Sequence, residues 1–184
     1  VLSETKADVS RTGRGELSGV IEGRDEVLGK FTDDLDQLAS SIIFEFNKIH
    51  ASGEGLEGYT SVTSQERIDN TTVALNSADA GLPFTPKHGS FELKVVNKLT
   101  GSEQTTVVSV DLDGIGSDTT LDSLRASLDG ITNVSASISS KGELKIDAGA
   151  NYEIRFSNDS SDVLASLGIN SFFTGSDSDT IGVN

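Results

Sequence analysis

One stretch constrains this chain more than any other: Glu16 to His50, ELSGVIEGRDEVLGKFTDDLDQLASSIIFEFNKIH. It is the only long segment with a sustained helical period. Leu28, Phe31, Leu35, Leu38, Ile42, Phe46 and Ile49 recur in steps of three or four residues, close to a coiled-coil seam. Asp33, Asp34, Asp36 and Lys48 fall off that stripe, on the wet side. Each well-buried seam side chain would contribute roughly 1.5–3 kcal/mol. A lone helix cannot bury its own stripe, so the seam predicts a cover. The expected cover is helices outside this segment, with residues 1–15 or the β unit over part of it. A charge placed there, as in Leu38→Asp, is expected to unfold or aggregate the helical part. Gly13-Arg14-Gly15 breaks the chain before the helix, and Gly53 suits a left-handed C-cap after it. Gly19, Gly23 and Gly29 each cost about 1 kcal/mol relative to alanine, so the first half is expected to be the weaker half.

The remaining composition suits turn-rich β structure. Gly, Ser, Thr, Asn and Asp are abundant, and apolar residues, 35% of the chain, still recur in patterned runs. Twenty-nine acids stand against 14 bases, giving a net charge of −15. Such a chain is repelled by a phosphate backbone or an anionic lipid surface. With no basic patch interleaved with aromatics, neither a nucleic acid nor a membrane is an expected partner. There is no cysteine, hence no disulfide framework or thiol chemistry. No apolar run approaches spanning length, and no secretory signal opens the chain. The absence of methionine predicts an internal segment of a longer protein.

Residues 1–15 read as an extended lead-in. Gly53 to Gly58 is a glycine-rich loop, and residues 59–87 are irregular, with a short strand expected at Thr72–Leu75 and an extended approach at Pro83 to Pro86. From Gly89 the period changes to two. Phe91, Leu93 and Val95 alternate with Glu92, Lys94 and Val96, and β-branched Thr105–Leu112 should pair back as a hairpin. Asp118 or Thr119 is expected to cap a short helix carrying Leu121, Leu124 and Leu128. Val134, Ala136 and Ile138 alternate with serines and turn at Lys141-Gly142 into Leu144, Ile146 and Ala148. Tyr152, Ile154 and Phe156 form a further strand, Asp162–Leu167 a second short helix, and Ile181 with Val183 a last strand. The predicted class is α+β: residues 1–58 supply a lead-in and long helix, and residues 59–184 a mainly antiparallel β domain with two short helices. Its predicted core is Phe91, Leu93, Val134, Ile138, Leu144, Ile146, Leu167, Phe172 and Phe173.

Chemistry is sparse. His50 and His88 are the only histidines, far apart in sequence, and no HExxH pair, nucleophile elbow or phosphate-binding glycine loop exists. His50 should meet the last carbonyls of the helix or its dipole. The acidic turns Asp111–Asp113, Asn158–Asp162 and Asp177–Asp179 are oxygen-rich, as calcium sites are, but none fits the twelve-residue loop with glycine at six and glutamate at twelve. They read as solvated turns. No catalytic residue, cofactor or metal is expected.

Several separated strings carry a resemblance. They are Gly15-Glu16-Leu17-Ser18-Gly19-Val20-Ile21, Arg24-Asp25, Leu35-Asp36-Gln37-Leu38-Ala39, Phe46-Asn47 and His50 with Gly53 and Gly58. Further on come Leu82-Pro83-Phe84, Gly89-Ser90-Phe91, Val134-Ser135-Ala136 and, most specific, Leu167-Gly168-Ile169-Asn170-Ser171-Phe172-Phe173-Thr174-Gly175. In this order they resemble the flagellar hook-associated protein 1 family, over nearly all of residues 15–184. Residues 59–80 match poorly. Val134 to Ile146 also resembles a small flagellin repeat.

The resemblance implies a non-catalytic axial subunit at the bacterial hook–filament junction. It would be exported unfolded by the flagellar type III route to the cell exterior. Its implied partners are copies of itself, hook protein and a second junction protein. The helical part would lie inside the wall and the β unit outside. The isolated segment is expected to be monomeric. The alternatives are a flagellin-like or other axial subunit, and an extracellular adhesive module.

Overall fold

The computed structural model describes Gly19, residues 23–55 and residues 57–184. The predicted lead-in, 1–15, and most of the predicted first turns of the long helix lie outside the described residues. Gly23–Leu28 is a π-helix, and helix α1 follows as Gly29–Ser52. The wide turn therefore falls between Gly23 and Gly29, where glycines lower helix propensity. The far end differs from expectation too. Gly53 is extended, with φ −85° and ψ 152°, not left-handed. The closing carbonyls of α1 are met from outside, by Asn170: its amide donates to Ala51 O at 3.4 Å and Gly53 O at 3.3 Å. A helix end satisfied in this way needs no local left-handed turn.

The β-rich part contains two three-stranded antiparallel sheets. One has the order β3-β2-β6, from β2 (Gly89–Asn97), β3 (Glu103–Val110) and β6 (Tyr152–Ser157). The other has the order β1-β5-β4, from β1 (Ser61–Thr63), β4 (Val134–Ile138) and β5 (Leu144–Ala148). Residues 59–63 stitch the two together. Tyr59 exchanges both backbone hydrogen bonds with Ile154 on β6, at 2.8 Å each, and Ser61 pairs with Asp147 on β5. The predicted hairpins form in the register that their alternation demands: Phe91 faces Val108 and Ala136 faces Ile146. Thr72–Leu75 is not a strand. It makes a single bridge, Ala74 to Thr120.

Helix α2 (Leu121–Asp129) lays Leu121, Leu124 and Leu128 into the core. Its cap is Thr120, one residue beyond the expected pair. Thr120 Oγ1 accepts from Ser123 N at 3.1 Å and Ser123 Oγ accepts from Thr120 N at 2.9 Å, a reciprocal capping box. Helix α3 (Val163–Leu167) is buried at every residue. It ends in a Schellman motif at left-handed Gly168, with Ile169 N donating to Leu164 O and Gly168 N to Ala165 O. Of the predicted β core, Phe91, Leu93, Val134, Leu144, Ile146 and Leu167 are buried and Ile138 is half-buried against them. Phe172 and Phe173 are a correction. Phe172 is 36% exposed and Phe173 is half-buried. Both rings leave the core because their backbone is drawn onto α1. The chain closes with the two-stranded ribbon β7 (Phe173–Thr174) and β8 (Gly182–Val183).

One position shows how tightly the two halves of the β unit meet. Gly142 has φ +83°, and a Cβ there would stand 2.1 Å from the carbonyl oxygen of Ile68. Gly142→Ala combines a left-handed penalty of about 1 kcal/mol with that clash. It is expected to cost at least about 2 kcal/mol, read as a fall in urea midpoint at unchanged m-value.

Candidate functional site

Two faces of α1 carry the functional interest. They lie about a third of a turn apart on the helix. One face bears Ala39, Ile43, Asn47 and Ala51, all buried against the β unit. Phe44, beside it, stacks on Phe84 with ring centroids 4.6 Å apart and planes 5° from parallel. The other face bears the sequence-predicted seam. Leu28, Phe31, Leu35, Leu38, Ile42, Phe46 and Ile49 are between 44% and 75% exposed. The seven are brought into one line, yet the described residues leave it open to solvent. The apolar period therefore marked the free face. The attached face escaped notice because its members are two alanines, one isoleucine and an asparagine.

The attachment is polar at its centre. Asn47, 3% exposed, donates to Phe173 O at 2.9 Å, and its oxygen accepts from Phe172 N at 3.0 Å and Phe173 N at 2.9 Å. Its side chain thus serves as the hydrogen-bonding partner that a neighbouring strand would supply. One turn on, His50 Nδ1 lies 2.9 Å from Asn170 O, which makes Nδ1 the protonated nitrogen. Asn170 itself sits at φ +53°, and its side-chain oxygen accepts from Tyr59 Oη at 2.9 Å. His50 is thereby a tie between helix and β unit, rather than a partner of its own helix's last carbonyls. Phe46 packs on Phe172 and Phe173 at 5.1 and 5.2 Å, so the seam runs on from the helix onto these rings. At the other end of the attachment Asp36 Oδ1 accepts from Ser178 N at 3.1 Å and from Ser178 Oγ. Past the helix, Glu54 pairs with Lys94 and lies 3.8 Å from Arg155, both on the outer face of the first sheet.

The acidic turns use their carboxylates internally. Asp113 Oδ1 accepts from Ile115 N at 2.8 Å, and Asp177 Oδ1 accepts from Thr180 N and Oγ1 at 2.8 and 2.6 Å. Those bonds hold the Asp177 carboxyl below the usual range. Asp159 accepts from Ser161 N and Oγ and from Leu164 N, at 2.9, 2.7 and 2.9 Å. Asp162 pairs with Lys87 at 2.9 Å. His88, Asp111 and Asp113 bring ligand-type atoms within 4.8 Å of one another, all exposed. Sequence reasoning missed His88 here; the signal was the hairpin register, since Gly89 opposite Val110 sets His88 beside Asp111. Among the described residues no nucleophile–base pair stands in a pocket. A cleft of about 250 Å³ lined by Val95, Ser102, Glu103, Gln104, Asn133 and Tyr152 holds no such pair.

Among the described residues the geometry leaves one apolar face of α1 free. Residues 2–63 match the family described as the flagellar hook-associated protein FlgK helical domain. The similarity to that family is carried by this segment, about a third of the chain. The matched span takes in α1, the loop beyond it and β1. No match was found among curated proteins.

Two measurements check this account. Asn47→Ala leaves two buried N–H groups and a carbonyl unpaired and is expected to cost about 1–3 kcal/mol by urea denaturation. Leu38→Asp, on the exposed face, should shift stability by no more than about 0.5 kcal/mol, against the sequence expectation of unfolding. The second concerns Asp159. Burial holds its carboxyl above the usual range, outweighing the bonds from Ser161 and Leu164 that pull it down. The folded state therefore takes up a proton before the unfolded chain does, and this residue's contribution to stability grows as pH falls through its folded pKa. Relative to the non-titrating Asp159→Asn variant, the native chain should gain stability between about pH 7 and about pH 4.

Proposed function

We propose that this protein is a non-catalytic structural subunit of the junction between hook and filament. It leaves the cell by the flagellar type III route and works outside it. Its partners there are copies of itself, hook protein and a second junction protein. The helical part, residues 1–58, lies in the wall of the axial structure, and residues 59–184 face outward. The match of residues 2–63 to the hook-associated helical domain supports the flagellar role. The observation that carries the finer reading is the exposed seam from Leu28 to Ile49. An apolar stripe of seven side chains on a helix of that domain is a surface made to be covered in assembly. The cover is the neighbouring helices of the axial wall.

The isolated chain is a monomer in this reading, its seam being covered by neighbouring helices of the axial wall only in the assembly. Light scattering at high concentration should give the monomer mass, and a defined dimer would count against it. The placement is tested by immunogold electron microscopy on intact flagella, with antibody raised against residues 89–184. A band where filament meets hook is the expected result. Label along the whole filament would indicate a flagellin-type subunit, and flagella without label would favour an adhesive module.

A further inference from the structure

We propose that residues 170–184 are a clasp that sets the rotation of α1 about its own axis, with Asn47 and Asp36 as its positioning residues. The segment runs antiparallel to the helix and is tied to it three times. Asn170 meets His50, Phe172 and Phe173 meet Asn47, and Ser178 meets Asp36. Asp36 and Asn47 are anchors set well apart along the helix. From Asp36 to Asn47 the helix rises about 16 Å. Opposite them the chain runs from the strand Phe173–Thr174 through left-handed Gly175 into the turn that holds Ser178.

The clasp is also closed on itself, so it cannot yield by bending. Phe173 pairs with Val183, and Asn184 ties back through its N–H to Phe172 O at 2.8 Å and through its side chain to Ser171 O at 3.0 Å. Its turn is locked by Asp177 and Thr180. A Cβ at Gly175, where φ is +81°, would stand 2.2 Å from Thr180 O. One anchor would let the helix pivot. Asp36 and Asn47, about three turns apart on nearly one line of the helix, fix its tilt, and the tie at His50, about 60° round from Asn47, opposes rolling about that line. The seam, on a different line, is thus offered at one fixed angle to the β unit. The inference rests on the reading of the seam as a docking face only for its purpose. Its geometry is intramolecular.

The test uses that distinction. The chain has no cysteine, so Ser41→Cys and Ser137→Cys, both exposed positions, give a clean spin-label pair between α1 and β4. In the otherwise native chain one narrow distance distribution is expected. Adding Asn47→Ala and Asp36→Ala should broaden it about twofold or more. Amide exchange at Phe172, Phe173 and Ser178 should rise at least about tenfold while β2 and β3 keep their protection. Should the combined variant fail to fold, Asp36→Ala alone, at the partly exposed anchor, is read the same way at Ser178 and in the distance width. A distribution that stays narrow after the amides are released would overturn the proposal, whatever the immunogold experiment shows. So would unchanged exchange in both variants.

Discussion

Helix α1 carries more apolar surface than the β unit can cover, and the rest of the structure is arranged around that imbalance. Ala39, Ile43 and Ala51 meet the β unit, while seven larger side chains, Leu28 to Ile49, stand in solvent. Burying each of the seven would contribute roughly 1.5–3 kcal/mol. Together that matches or exceeds the net stability of an ordinary domain, about 5–15 kcal/mol. Two alanines, Ile43, Asn47 and the flanking Phe44 attach the helix to its own chain, and the seven seam residues are left outward. Close approach is used internally, and apolar area is held in reserve.

The attachment depends on two asparagines. Asn47 and Asn170 between them satisfy backbone groups of α1, the chain after it and residues 172–173. Apolar contacts tolerate sliding, whereas buried amides must meet their partners with narrow geometry or bear a desolvation cost. A helix held by such bonds has one seat on the β unit. The left-handed conformations at Gly168 and Asn170 serve the same seat, turning the chain out of α3 and back towards the end of α1.

Much of this was legible in the residues. Period-two alternation gave both hairpins with their faces, as Phe91, Leu93 and Ala136 illustrate, and the leucines of α2 declared a buried side. The seam was legible as a stripe. What the pattern could not reveal is which surface meets it, because periodicity reports that a face is apolar and not where its cover lies. Gly53 misled since a glycine after a helix suggests a local cap, while the actual cap, Asn170, lies over a hundred residues away. Phe172 and Phe173 misled for a related reason: large rings imply core, but their position follows from Asn47 holding their backbone. His88 beside Asp111 needed the register of β2 on β3. Each miss is a non-local contact made by a polar side chain, the class of contact that composition and period encode least.

The paired anchors on α1 have a consequence for how such a helix can vary over evolutionary time. One residue added or lost between Asp36 and Asn47 would swing one anchor about 100° around the helix and leave the other in place. The segment opposite, from the strand Phe173–Thr174 to the turn at Ser178, would then have to meet that anchor from another side. A length change within this interval is therefore expected to need a compensating change in residues 173–178. The eleven-residue interval works as a ruler, keeping the spacing from helix to ribbon constant while the sequence on the outer side of the β unit is free to drift.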